Sequence, residues 1–93
     1  MVVGVCEIGL RLAENHDLKG KRKVLKAIKD RVRNRFNVSI AEVDDLDAWQ
    51  HATLGAACVS KDRDMVERTL AQVATFVEEL CLASVESVHV EIL

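Results

Sequence analysis

The sequence predicts an α+β fold in which one antiparallel sheet is covered by two helices, within a single domain over residues 1–93. Three observations predict it. Four stretches are alternating or β-branched and of strand length. Two longer stretches repeat apolar residues every three to four positions. Ninety-three residues, 49% of them hydrophobic, suit one domain and leave no room for two.

Residues 1–12 alternate, with Val2, Cys6, Ile8 and Leu10 on one parity and Val3, Val5, Glu7 and Arg11 on the other, as a strand with one buried face does. Residues 13–17 are a polar connection. Residues 19–36 carry Val24, Ile28, Val32 and Phe36 at intervals of four, with Leu25 beside them, which predicts a helix. Asp17 is its expected N-cap, with Leu18 closing the turn as the alternative, and Asn37, which tolerates a left-handed backbone, is expected to end it. Residues 38–43 read as a second strand and 50–59 as a third. The acidic loop Asp44-Asp45-Leu46-Asp47 joins them into a hairpin. Residues 62–82 predict a second helix through Val66, Leu70, Val73, Val77 and Leu80, capped by Ser60 or Asp62. Residues 85–93 alternate again, with Val88, Val90 and Ile92 opposed to Ser87, His89 and Glu91.

The order β-α-β-β-α-β is that of the split βαβ, or ferredoxin-like, sandwich. Two right-handed crossovers place both helices on one face of a sheet ordered 4-1-3-2 and leave the other face open.

The net charge of −2 hides a polarity. Residues 19–35 hold nine Lys and Arg against one acid, Asp30, for a local charge of +8. The remainder holds four basic residues and fourteen acids, for −10. Charge acts over about 8–10 Å in physiological salt, so the local balance sets the field that a partner meets. The three cysteines, Cys6, Cys58 and Cys81, each sit in an apolar run without ligand spacing, as buried free thiols in a reducing, cytoplasmic setting do. No signal peptide is expected, and no apolar stretch reaches the ~20 residues that cross a bilayer.

The runs Leu18-Lys19-Gly20-Lys21-Arg22, Arg31-Val32-Arg33-Asn34-Arg35-Phe36-Asn37-Val38-Ser39-Ile40-Ala41-Glu42-Val43 and Trp49-Gln50-His51-Ala52-Thr53-Leu54-Gly55, with the opening Val3-Gly4-Val5, resemble the bacterial YlxP-like family, domain of unknown function 503. The resemblance covers essentially the whole chain. It implies a small cytosolic bacterial protein of ferredoxin-like fold. Genes of the family often lie near those of translation and ribosome-assembly factors, which implies a link to RNA or the ribosome. It carries over no catalytic residue. Asn15-His16-Asp17 replaces a more Ser-like lead into the helix, and Cys6 and Cys58 stand where aliphatic residues are expected.

Projected at 100° per residue, the apolar stripe of the first helix centres on Ile28 and Val32. Arg22, Lys26, Lys29 and Arg33 fall together away from that stripe, with Lys19 and Lys23 beside them and Arg31 and Arg35 at its border. A solvated helix face normally mixes signs through i,i+4 pairs. Here only Asp30 compensates. Lys19, Lys21 and Arg22 beside the free amides of the helix start would make a phosphate-sized site, and the ridge beyond would track a nucleic-acid backbone. Lys19, Lys21, Arg22, Lys26, Lys29 and Arg33 are therefore the candidate anion-binding residues, with structured RNA or the ribosome as candidate partner and an acidic protein as the alternative. Base stacking on the sheet is not expected, because Phe36 and Phe76 lie on helix core stripes. Val3, Val5, Val43 and Ala57, with Trp49, would form an apolar patch on the open face, a candidate homodimer interface through the sheet or the edge of its second strand.

Catalytic chemistry finds little support. His16, His51 and His89 are scattered, although His51, His89 and Glu7 could meet on the open face. The acidic loop lacks a calcium pattern. An acylphosphatase-like enzyme would share the fold, but residues 13–17 contain no glycine to cradle phosphate. No catalytic residue, cofactor or metal site is expected.

Overall fold

The computed structural model describes all residues from Met1 to Leu93. Its elements are β1 (Val2–Arg11), α1 (Leu18–Arg35), β2 (Ser39–Asp44), β3 (His51–Ser60), α2 (Arg63–Glu79) and β4 (Ser84–Ile92). The four strands form one antiparallel sheet ordered β2-β3-β1-β4, the predicted order read from the other edge. This is the ferredoxin-like α+β sandwich.

The even-numbered residues of the two central strands build the core. Cys6, Ile8 and Leu10 of β1 and Ala52, Leu54, Ala56 and Cys58 of β3 are buried beneath Leu25, Ile28 and Val32 of α1 and Val66, Leu70, Val73 and Val77 of α2. Gly4 of β1 lets α2 approach closely: a Cβ placed there would stand 2.4 Å from Val66 Cγ1 and 2.9 Å from Leu70 Cδ1.

Asp17 caps α1, accepting the Gly20 amide at 2.6 Å, and Asp62 caps α2 through the Asp64 amide at 3.0 Å. The end of α1 differs from expectation. The chain leaves it extended through Phe36, at φ −127, and Asn37 is not left-handed. Phe36 instead packs edge-on against Phe76, with centroids 5.5 Å apart, and this contact draws the chain straight off the helix. The positive φ values fall at Asp45, in the β2–β3 loop, and at Cys81, after α2.

Two bulges shape the edges. One lies at Val43, between Glu42 and Asp44 of β2. The other lies in β4, where Leu10 pairs with Val85 but Gly9 pairs with Ser87. Val85 and Val88 therefore both face the helices, although an odd number of steps separates them. Val88 and Val90, on the inward parity, are still 47% and 39% exposed, because β4 is the sheet's outer edge.

Candidate anion-binding face and the open sheet

Lys19, Arg22, Lys23, Lys26 and Arg33 are exposed along α1, and Lys29 is half-buried. Lys26 and Arg33 are engaged locally. The Lys26 ammonium donates to Asp30 Oδ2 at 2.7 Å, Arg33 lies 3.8 Å from Asp30 Oδ1, and Arg33 Nη2 donates to the Ile40 carbonyl at 2.7 Å. The hydrogen bond from Lys26 chiefly, with the charges of Lys26, Arg33 and Lys29, holds the Asp30 carboxyl below the usual carboxylate range. Lys19, Arg22, Lys23 and Lys29 make no intramolecular ion pair.

Lys21 leaves the set of candidate anion-binding residues. Its side chain is 1% exposed and points between α1 and the β2–β3 loop. The ammonium donates to the carbonyls of Asp45 at 2.6 Å and Ala48 at 2.7 Å, and lies 2.9 Å from Glu42 Oε2. That carboxylate oxygen accepts no well-directed hydrogen bond. The N–H groups are aimed at the loop carbonyls, and Glu42 supplies the compensating charge. The signal was in the spacing: Lys21, Leu25, Ile28 and Val32 follow intervals of four, three and four, so Lys21 lies on the buried stripe.

Part of the phosphate-sized site at the start of α1 is taken up from within. The Asp17 carboxylate takes the Gly20 amide, and the Lys21 amide bonds to the Asp17 carbonyl at 3.3 Å. Asn15 closes the same corner by donating to the carbonyls of Asp17 and Trp49, each at 2.6 Å. The acidic loop is likewise organised inward: the Lys21 ammonium sits where a cation would meet its carbonyls, while Thr53 Oγ1 donates to Asp45 Oδ2 at 3.0 Å.

On the far side of the sheet, Val5, Ala41, Val43 and Ala57 surround Gly55 in a shallow concavity of about 510 Å³ whose rim carries Glu7, His89 and Glu91. Val43, displaced by its bulge, rests on Gly55; a Cβ there would lie 2.8 Å from Val43 Cγ1. Val3 lies on the same face opposite Val59. Trp49 does not join this patch. It is exposed in the bend that precedes β3, beyond His51 and Thr53. The histidines stay apart: Glu7 is in register with His89, whereas His51 Nδ1 lies 3.3 Å from Glu86 Oε1.

The cysteines divide two to one. Cys6 and Cys58 are buried, and burial pushes both thiols up, with the Glu7 charge adding to the effect at Cys6. Cys81 is exposed, because the turn that ends α2 carries it outward. No helix is long and apolar enough to cross a membrane.

Comparison with known proteins places this architecture. Among solved structures, the chain superposes on the de novo designed protein Foldit4 with a TM-score of 0.53 over 98% of this chain and 96% of that one, at 17% identity. It superposes on the structural-genomics protein YJCS with a TM-score of 0.52 over 96% of each chain, at 12% identity. These likenesses concern the fold alone. In sequence, it is 40% identical over 77 residues to the uncharacterized protein YlxP of Bacillus subtilis (strain 168), covering 83% of this chain and 84% of that protein. The family model described as protein of unknown function (DUF503) matches residues 3–90, and the chain belongs to that family.

Proposed function

We propose that this protein is a non-enzymatic cytoplasmic binding module that holds structured RNA, such as a ribosomal RNA helix, by its phosphate backbone along the outer face of α1. The observation that carries the reading is the run of Lys19, Arg22, Lys23 and Lys29, which lack intramolecular ion pairs beside a single acid, Asp30. With Lys26 and Arg33 the run extends over fifteen residues, Lys19 to Arg33, whose fourteen steps of 1.5 Å make roughly 21 Å. A straight ridge of cations on a rigid helix suits a regular row of phosphates and reads no bases. The lack of aromatic side chains on the open sheet face supports contact through the helix rather than base stacking on strands. Retention of several like charges four residues apart, each pair unfavourable by a few tenths of a kcal/mol, fits a face kept for an anionic partner.

The test is a salt series with a double-stranded ribosomal RNA hairpin as probe. Arg22→Glu/Lys26→Glu/Lys29→Glu weakens binding by at least about tenfold and flattens the log–log salt slope by about 2–3. Lys61→Glu, in the turn between β3 and α2, changes little. Equal weakening by both variants, or by neither, overturns the proposal. Co-purification of an acidic protein that survives ribonuclease treatment assigns the ridge to a protein partner instead.

A further inference from the structure

The two edges of the sheet are not alike. β2 is six residues long, interrupted by its bulge at Val43, and one of its outward carbonyls, that of Ile40, is already taken by Arg33 at 2.7 Å. Such devices blunt an edge against pairing. β4 has none of them over its second half. It runs regularly from Ser87 to Ile92, with neither lysine nor proline.

The Leu93 amide bonds to the Val3 carbonyl at 2.8 Å, in register with the ladder in which Gly4 faces Ile92 and Cys6 faces Val90. Antiparallel bonding alternates along a strand. Leu93, Glu91 and His89 therefore turn their backbone groups toward β1, and Val88, Val90 and Ile92 turn theirs outward, where this chain offers no partner. The same edge leaves Val88 and Val90 substantially uncovered on the helix side.

We infer that β4 pairs with β4 of a second copy of this chain, antiparallel about a two-fold axis at Val90, to join two four-stranded sheets into one of eight. The segment Val88-His89-Val90-Glu91-Ile92 is complementary to itself in this register. On the helix side Val90 meets Val90 and Val88 meets Ile92, so the contact is wholly apolar. On the open side each His89 stands opposite a Glu91 of the other copy. These are non-hydrogen-bonded ladder positions, where side chains approach most closely and Cα atoms lie about 4.5 Å apart. A carboxylate accepts the imidazole N–H in either charge state of the ring. An axis at Val88 would oppose Val90 to the bulged Glu86, and an axis at His89 would oppose Glu91 to Ser87, which leaves the carboxylate without a partner. Face-to-face packing of the open sheets would press the Glu7 and Glu91 rims into an apolar interface, where unpaired charge is penalised. The edge is thus the favoured contact, and it is independent of what α1 binds.

The test uses the full chain and the two-fold position itself. Wild type sediments with rising concentration toward twice its 10.3 kDa mass. Val90→Glu and Val90→Lys, each on an exposed edge and each facing its own copy, weaken self-association at least tenfold. An equimolar mixture of the two restores a dimer containing one of each, because only pairing at this axis sets residue 90 against residue 90. A wild type that stays monomeric at millimolar concentration overturns the inference irrespective of how the variants fold. So does self-association unchanged by either substitution, or a mixture that remains monomeric.

Discussion

The Lys21 ammonium lies 2.9 Å from the Glu42 carboxylate, with 1% and 15% of the two side chains exposed, and ties the first turn of α1 to the β2–β3 loop. Its bonds to the Asp45 and Ala48 carbonyls close that loop around a charged side chain. Removing one member of such a pair leaves the other group's polar surroundings buried and unanswered. Lys21→Ala is expected to destabilise the fold by about 3 kcal/mol. Glu42→Gln, which leaves the carbonyl bonds in place, should cost less, on the order of 1–2 kcal/mol. Urea titration of both variants measures this, and equal, negligible shifts would refute the arrangement.

A methyl group at Gly4 would have to displace Val66 and Leu70, which are fixed in the core beneath α2. Gly4→Ala should therefore destabilise by about 1–3 kcal/mol, the usual range for overpacking. Gly9 offers the contrast. Its nearest obstacle is the Ser87 hydroxyl, on an exposed side chain that can rotate away. Gly9→Ala should lie within about 0.5 kcal/mol of wild type, as surface changes do. Thermal or urea unfolding of the pair checks the ranking.

Asp30 is the one acid within the basic ridge. Asp30→Asn should tighten the RNA hairpin several-fold and steepen the salt slope, since Lys26 and Arg33 are then released toward phosphate. A carboxyl whose folded pKa is lowered adds stability that is present above its unfolded pKa and fades as pH falls through the folded value. An NMR titration should place Asp30 below the usual carboxylate range, and Lys26→Ala should move it back up.

The three thiols should react in two classes. Cys81 is modified in the native protein, whereas Cys6 and Cys58 wait for unfolding. Their raised thiol pKa values give a contribution to stability that is full below the unfolded thiol pKa and is lost as pH rises from there through the folded values. At Cys81, φ is 54, and relief of the left-handed strain by Cys81→Gly should stabilise by up to about 1 kcal/mol. Mass spectrometry after brief alkylation, together with urea titration, tests both statements.

Periodicity carried most of the fold. Alternation in β1 and β3 and the 4-3 spacing of both helices state which face is buried, and the connection lengths then leave one common topology. What alternation does not state is where a ladder slips. Val85 and Val88 face the same side only because of the bulge between them, which the ladder and not the alternation reveals. The open-face residues Val5, Val43 and Ala57 followed from parity, but Trp49, in a bend outside any ladder, did not. Lys21 was legible as a buried position and illegible as to partner. Its carbonyls come from residues 45 and 48, in a loop whose path no repeat describes. Cys81 is exposed although its neighbours are apolar, because a turn's geometry rather than hydropathy sets its direction.

The chain has six lysines, and five of them present their amines to reagents while Lys21 does not. That difference turns an ordinary acylating label into a clock for one region. Modification of Lys21 can proceed only in moments when the β2–β3 loop swings off α1, so its rate reads the frequency of that local opening. The other five amines, labelled in the same tube, calibrate the reagent.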